Sequence, residues 1–243
     1  WVQSTWAGID AIAHFASEAL QITPLKGVFG PAMTEYVMGW LLAIERNVIS
    51  RASHTQWTPS LEPRITGKRL GIMGTGGIGT AIAVAARSFG VEVTGLNSDG
   101  RAVVGFSACY PSTDRLAFAE GLDYLVSVLP QTSQTDKLID HEVLMRLNPR
   151  AIVINAGRGN AVVEADLIAS LNAGHVRAAV LDVFREEPLP PDDPLWSTRG
   201  VHITSHTAGP TPDEAISEVF ERNLKLYIAG EPLTDAVQPG RGY

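Results

Sequence analysis

Short apolar runs alternate with segments of helical period along most of this chain. The run from Leu70 to Met73 is followed by Ile78, Ala81, Ile82, Ala85 and Phe89 at three- and four-residue spacing. Gly90 closes that segment, and a second apolar run, residues 91–96, comes next. The pattern predicts strand, helix, strand. After a loose segment to Tyr110 and a short helical stretch over residues 113–120, four more apolar runs follow, at 123–129, 151–155, 178–184 and 201–205. Helical patterns at 141–147 and 164–173 separate the first three. Alternation of this kind implies an α/β protein with a parallel, doubly wound sheet.

Upstream the pattern is less regular. Residues 10–19 read as a short helix and 21–29 as a strand broken by Pro24. Pro31 opens a long helix reaching Ser50, with Val37, Trp40, Leu41, Ile44 and Val48 on one face, expected to serve packing or subunit contact. Residues 51–67, with two prolines, form the connection into the regular part. Near the end, Thr211-Pro212-Asp213-Glu214 has the form of a capping box with proline at the first helical position. The helix it starts is expected to run to Ala229 and stop at Gly230.

Bulk properties narrow the function. A chain of 243 residues with 45% hydrophobic and 19% charged residues can bury one large or two modest cores. Its net charge of −7 argues against nucleic acid or an anionic membrane as main partner, so any bound anion must be held by local groups. Cys109 is the single cysteine, which rules out an internal disulfide or a thiolate metal cluster and suits a cytoplasmic setting. No apolar run is long enough to span a bilayer, and no metal site is expected.

The candidate chemistry begins where the first strand ends, in Gly74-Thr75-Gly76-Gly77-Ile78-Gly79. Between a strand and a helix, a Gly-x-Gly-x-x-Gly turn marks a dinucleotide site. Gly74 permits the tight turn, Gly76 the approach of a pyrophosphate, and Gly79 close packing of helix on strand. The phosphates meet the free N–H groups and dipole of the helix N-terminus. At the end of the second strand, where an acid commonly holds the ribose hydroxyls, stand Asn97 and Ser98, with Arg101 near enough to add charge. Asp99 lies two residues too late for that role. The expected cofactor is therefore NADP(H), with NAD(H) possible.

Other polar residues follow later strands and so fall on the same sheet edge. Arg158 comes after the strand ending at Asn155, Asp182 lies near the end of the next, Glu186 and Glu187 sit in the loop beyond, and His206 ends the last. A guanidinium binds a carboxylate through two parallel hydrogen bonds. A histidine, with an ordinary pKa of about 6.5, can donate the proton a new alkoxide needs, and a carboxylate partner favours its charged form. Beside a nicotinamide, these groups suit reduction of a 2-oxoacid.

The chain resembles the D-isomer-specific 2-hydroxyacid dehydrogenases over almost its whole length. The matching segments are the glycine turn, Leu129-Pro130-Gln131-Thr132, Asn155-Ala156-Gly157-Arg158-Gly159, Leu181-Asp182-Val183-Phe184 with Glu187-Pro188-Leu189, and Ser205-His206. The resemblance implies that Arg158 holds the substrate carboxylate and keto oxygen, that Glu187 pairs with His206, and that His206 is the acid/base. It places Asp182 at the nicotinamide carboxamide and Leu129 and Pro130 with the cofactor. The loop Ser4-Thr5-Trp6-Ala7-Gly8-Ile9-Asp10 is similar to the family loop whose backbone N–H groups, here near Ala7 and Gly8, also hold the substrate carboxylate, with Trp6 beside them. Within the family, the proline-rich stretch 188–196 and the ending Gly240-Arg241-Gly242-Tyr243 look most like the glyoxylate/hydroxypyruvate reductases.

Two departures accompany the resemblance. Ser205 and Thr207 flank His206 where the family has proline and an apolar residue. Family members also carry further βα units ahead of the Trp6 loop. The expected architecture is thus a Rossmann nucleotide domain over residues 31–207 and a partial flavodoxin-like substrate domain from residues 1–30 and 208–243. A chain opening at Trp1 reads as a piece of a longer one, expected to bind the dinucleotide, to turn over 2-oxoacids poorly and to associate as a homodimer. The function implied is hydride transfer between a nicotinamide cofactor and a small 2-oxoacid such as glyoxylate or hydroxypyruvate. The alternative is a nucleotide-responsive, corepressor-like binding module with little catalysis.

Overall fold

A strand covered on both faces needs apolar side chains at successive positions, and the central strands of this protein have them. The computed structural model describes residues 1–211 and 213–237. Strand β1 (Val2–Gln3) pairs in parallel with β2 (Ile22–Thr23) as a separate two-stranded sheet. Helices α1 (Gly30–Glu45) and α2 (Val48–Arg51) lead to the main sheet. Its first half contains β3 (Arg69–Met73), α3 (Gly77–Ser88), β4 (Glu92–Asn97), β5 (Ala108–Pro111) and α4 (Arg115–Ala119). The second half contains β6 (Tyr124–Ser127), α5 (His141–Arg146), β7 (Ala151–Asn155), α6 (Glu164–Asn172), β8 (Val176–Leu181) and β9 (Val201–Ile203). Helix α7 (Asp213–Ala229) follows.

The seven strands of the main sheet run in the order β5-β4-β3-β6-β7-β8-β9, all parallel. This is the Rossmann-like arrangement that the alternation predicts. Strand order reverses between β3 and β6, which opens a crevice at their carboxyl ends. Period-two alternation divides the strand side chains between two cores. Leu125, Val153 and Ala179 pack with Phe118, Val143, Leu144 and Leu167 of α4, α5 and α6. Tyr124, Val126, Ile152 and Ile154 pack with Val37 and Leu41 of α1 and Ile82 and Ala86 of α3.

Several expectations upstream are corrected. Residues 10–19 form only a 3-10 turn at Ala13–Phe15, because that turn buries no residue and so gains no packing to offset helix nucleation. The strand expected over 21–29 is confined to Ile22–Thr23, ahead of Pro24. The long helix does not reach Ser50. Arg177 donates to the Ile44 carbonyl at 2.8 Å and to Asn47 Oδ1 at 2.9 Å, engaging the carbonyl that a continuing helix would offer to Val48. Asn47 turns left-handed at φ 52° and α2 restarts, leaving Val48 exposed rather than on the α1 face.

Downstream, β5 lies in a stretch that reads as loose. It is a short edge strand, and an edge tolerates its closing Pro111. The helical stretch at 113–120 divides into a 3-10 turn, Ser112–Asp114, and α4. Gly230, at φ 69°, closes α7 as expected. Pro212 of the capping box and residues 240–243 lie outside the described residues.

Candidate active site

The glycine turn sits at the mouth of the crevice. Gly74 takes φ 102°, and a Cβ on Gly79 would lie 1.9 Å from the Gly74 carbonyl oxygen, so only glycine lets α3 lie this close. Nothing stands within 4 Å of a Cβ placed on Gly76 or Gly77, which leaves an open cradle. Helix α3 begins at Gly77 with no acidic residue in its first turn, so its N–H groups and dipole meet no competing charge. Ile78 packs against the α1–α3 core. Across the crevice Leu129 and Pro130 follow β6, and Gly157 packs on the Leu129 backbone, where a Cβ would approach its nitrogen to 2.5 Å. The cradle fits the pyrophosphate of a dinucleotide.

At the end of β4 the residues divide their work differently from expectation. Asn97 is buried, and both hydrogens of its amide are spent inside the protein, on Thr75 Oγ1 at 3.1 Å and the Arg101 carbonyl at 2.9 Å. Its oxygen accepts from Gly100 N–H at 2.7 Å. Asn97 thus shapes the loop and ties it to the glycine turn. Ser98 is exposed beyond it, and Arg101 is exposed and paired with Asp99 at 2.8 Å. Ser98 and Arg101 are thus the residues of this loop whose side-chain donors are exposed.

Arg158 follows β7 and is presented by a turn that Asn155 builds. Asn155, fully buried, donates to the Arg158 carbonyl at 3.0 Å and accepts from Gly157 N–H at 3.3 Å. The guanidinium meets the loop after β1, where Arg158 Nε donates to Asp10 Oδ2 at 2.7 Å. In the same loop the N–H groups of Ala7 and Gly8 find no acceptor among the described residues. The indole of Trp6, 64% exposed, stands edge-on to the His206 ring with centroids 6.5 Å apart.

His206 and Glu187 come together, as the family resemblance implies. His206 Nδ1 and Glu187 Oε2 are 2.8 Å apart, and Glu187 Oε1 accepts from Phe184 N–H at 2.9 Å. The peptide bond from Glu187 to Pro188 is cis. Glu186 is exposed and makes no salt bridge among the described residues. A cleft of about 420 Å³ adjoins the pair, lined by Asp182, Phe184, Glu187, Leu189, Trp196 and His206 among others.

Asp182 is only 2% exposed, and its carboxylate organises the histidine turn. Oδ1 accepts from Thr204 Oγ1 and from Thr207 N–H at 2.9 Å, and Oδ2 accepts from Ala208 N–H at 3.1 Å. His206 itself sits at φ 55°, with its N–H on the Asp182 carbonyl at 2.8 Å. Since Thr204 gives its proton to Asp182, the 2.7 Å contact between Tyr36 and Thr204 must have the phenol as donor. Burial pushes the Tyr36 hydroxyl up to about 12, so it stays a neutral donor. Asp10, Asn155, Thr204 and Tyr36 join the site without a role assigned from sequence; Asp10 and Asn155 stand in the segments that resemble the family, whereas Thr204 and Tyr36 carry no such signal.

A dinucleotide cradle, a histidine–carboxylate pair and an arginine at one sheet edge define a nucleotide-dependent oxidoreductase. The model of the D-isomer-specific 2-hydroxyacid dehydrogenase NAD-binding domain matches residues 38–208. The chain belongs to the D-isomer-specific 2-hydroxyacid dehydrogenase family. It is 36% identical over 250 residues to a glyoxylate/hydroxypyruvate reductase A of Salmonella heidelberg, covering 98% of this chain and 80% of that protein. A crystal structure of a family member from Aeromonas salmonicida superposes with TM-score 0.90 at 36% identity, over 97% of this chain and 77% of the other. The NADPH-dependent glyoxylate/hydroxypyruvate reductase of Sinorhizobium meliloti, solved with NADP and sulfate, gives TM-score 0.90 at 28% identity, over 100% and 80%. Nothing among the described residues favours the binding-module alternative. Among the described residues, no helix is long and apolar enough to cross a membrane.

Proposed function

We propose that this chain reduces small 2-oxoacids such as glyoxylate and hydroxypyruvate to 2-hydroxyacids, with NADPH preferred and NADH accepted. The observation that carries the proposal is the 2.8 Å His206–Glu187 pair at the sheet edge shared by Arg158 and the glycine turn. A bound reduced nicotinamide dinucleotide supplies the hydride. Arg158 holds the substrate carboxylate and keto oxygen through its fork of N–H groups, and the unengaged N–H groups of Ala7 and Gly8 add to the carboxylate. Glu187 fixes the ring of His206 through Nδ1 and leaves Nε2 to hand a proton to the keto oxygen as alkoxide charge develops. Asp182, through the 204–208 turn, holds the histidine in place, and Trp6 narrows the entrance to short substrates. Ser98 and Arg101, with no acid at the end of β4, support a 2′-phosphate. The reductase and NADP-bound relatives support the same reading.

In this reading residues 31–207 are the nucleotide unit, and residues 1–30 with 208–243 belong to the substrate side. The chain acts in the cytoplasm, a setting suited to its one free thiol, Cys109. It pairs as a homodimer across α1, where an apolar groove of about 380 Å³ is lined by Tyr36, Gly39, Trp40, Ala43 and Ile49. Val48, Trp57 and Leu61, further along the chain, are exposed as well. Light scattering on the purified chain tests the dimer, and Gly39→Lys with Ile49→Asp should yield monomers.

Loss of NADPH absorbance against a panel of 2-oxoacids, repeated with NADH, tests the activity. Glyoxylate and hydroxypyruvate should be consumed, with NADPH preferred by about tenfold or more, a difference near 1.4 kcal/mol. Failure to consume any 2-oxoacid with either cofactor would sink the proposal.

A further inference from the structure

Arg158 is held on one side by the loop after β1 and on the other by its own chain neighbour, Gly157. Asp10 Oδ2 takes its Nε–H at 2.7 Å, although the two residues are 148 positions apart. The Gly157 carbonyl takes an Nη1 hydrogen at 2.9 Å. A guanidinium has five N–H groups. With one on Asp10 and one on Gly157, the remaining three lie on Nη1 and Nη2, along an edge that matches the two oxygens of a carboxylate. Gly8 sets the position of that edge. A Cβ on Gly8 would fall 1.4 Å from Arg158 Nη2, 2.6 Å from Cζ and 3.1 Å from Asp10 Oδ2. The guanidinium therefore occupies the space a side chain would need, and glycine is required there for room rather than for backbone freedom.

We infer that Asp10 and Gly8 are positioning residues that fix the plane of the Arg158 guanidinium and so decide which of its edges the substrate meets. The inference rests on the proposed role of Arg158 in holding the substrate carboxylate. The ion pair, with side chains 25% and 24% exposed, joins residues 148 positions apart and gives the guanidinium a fixed direction. The opposite role for Asp10 is also definite: a carboxylate beside the binding arginine could compete with the substrate and repel it. The two roles predict opposite changes when Asp10 is removed.

The test uses the full chain with NADPH and two readouts: glyoxylate kinetics, and binding of oxalate, an unreactive carboxylate. Asp10→Ala should raise KM and lower kcat, reducing kcat/KM on the order of tenfold to a hundredfold, because reacting groups shift by a fraction of an ångström. Oxalate should bind more weakly, while NADPH affinity and melting temperature stay near wild type. Asp10→Asn keeps an oxygen for the Nε–H and should restore activity to within about threefold. Gly8→Ala, which leaves Asp10 in place, should reproduce the loss. Arg158→Lys has no Nε–H to pin, so adding Asp10→Ala to it should cause no further loss. Tighter oxalate binding in Asp10→Ala would show competition and overturn the inference, as would unchanged kinetics or effects of Asp10→Ala and Arg158→Lys that simply multiply. Retained turnover in Arg158→Ala would instead remove the arginine assignment on which the inference rests. A silent Asp10→Ala beside a dead Arg158→Ala overturns the positioning role alone.

Discussion

The main sheet and the two-stranded sheet hold their shapes by different means. Strands β3, β6 and β7 bury both faces, and their side chains feed two large cores. Strands β1 and β2 are two residues long, and among the described residues the cluster beside them buries Ile9, Ile22 and Val237. Polar contacts take the place of burial there. The Trp1 indole donates to Thr23 Oγ1 at 2.9 Å, Gln3 Nε2 donates to the Ser4 and Thr23 carbonyls, and Asn223 of α7 donates to Gln3 Oε1 at 2.8 Å. The nucleotide side is therefore rigid by packing, while the loop carrying Trp6, Gly8 and Asp10 is placed by a few hydrogen bonds. Segments of the second kind open locally at lower free energy. In the proposed enzyme, cofactor binding belongs to the first region and substrate placement to the meeting of the two.

The largest effect should come from cutting the chemistry out while the cofactor cradle is left alone. His206→Ala and Arg158→Ala should each lower kcat/KM by about a thousandfold or more, and fluorescence titration should give NADPH affinity near wild type. Comparable loss of NADPH affinity would show that cradle and catalytic groups are not separable as described. Glu187→Gln sharpens the same point. The carboxylate fixes the ring of His206 through Nδ1, so its loss should lower kcat/KM by about tenfold or more while NADPH affinity holds, and undiminished turnover would count against the pair.

Core truncation sets the two regions against each other directly. Leu125 is fully buried between β6 neighbours and the α4–α5 side, so Leu125→Ala should destabilise the chain by about 2–5 kcal/mol and weaken cofactor binding with it. Ile22 is just as buried but sits in the small cluster, which can collapse around a loss. Ile22→Ala should fall at or below the low end of that range, leave NADPH affinity intact and raise KM for the 2-oxoacid. Thermal unfolding and cofactor titration on both variants check this. Equal losses in both properties would mean the small sheet is part of the same cooperative unit.

The same division explains what could be read from the sequence. Strand β7 was legible to the residue, and α3, α5 and α6 to within a residue or two, because their apolar periods report burial on faces that are in fact buried. Residues 10–19 show a helical spacing of apolar residues, yet no larger core lies beneath them and only a 3-10 turn forms. The end of α1 was illegible for another reason: it is fixed by Arg177, a residue on β8 whose contact with the Ile44 carbonyl has no local trace. The site divides likewise. His206, Glu187 and Arg158 follow strands, where ligand groups are expected, and ordered motifs mark them. Asn97 was read by position alone, and position does not show that all its hydrogen bonds are internal.

That internal role changes what Asn97→Asp should do. The new carboxylate would face the Arg101 carbonyl, an acceptor that cannot turn into a donor, and would add negative charge beside Ser98. NADPH affinity should fall by about tenfold, equivalent to about 1.4 kcal/mol, with a smaller fall for NADH, because the added charge repels a 2′-phosphate. Arg101→Ala removes the exposed charge without disturbing the amide of Asn97, and should weaken NADPH by several-fold while leaving NADH unchanged. Cofactor titration of both variants distinguishes loop shape from phosphate contact. A variant of Arg101 that binds NADPH normally would leave Ser98 as the only phosphate contact in this loop.

The smallest expected effect lies where α1 touches the histidine turn. Tyr36→Phe removes the donor at the head of the Tyr36–Thr204–Asp182 chain, and Thr204 keeps its bond to Asp182. The loss should be about 1 kcal/mol of stability at neutral pH, the size of one net hydrogen bond. Its signature is in alkali. The phenol titrates near 10 when unfolded and near 12 when folded, so between these values the unfolded chain has released a proton that the native chain retains. The stabilising contribution is complete below pH 10 and declines as pH rises toward 12. Wild type should therefore lose stability faster than Tyr36→Phe over that interval, by more than the roughly 1 kcal/mol that separates them at neutral pH, so the two stability curves should converge and then cross. Parallel curves would place the phenol in contact with solvent rather than at the head of the chain that ends on the His206 turn.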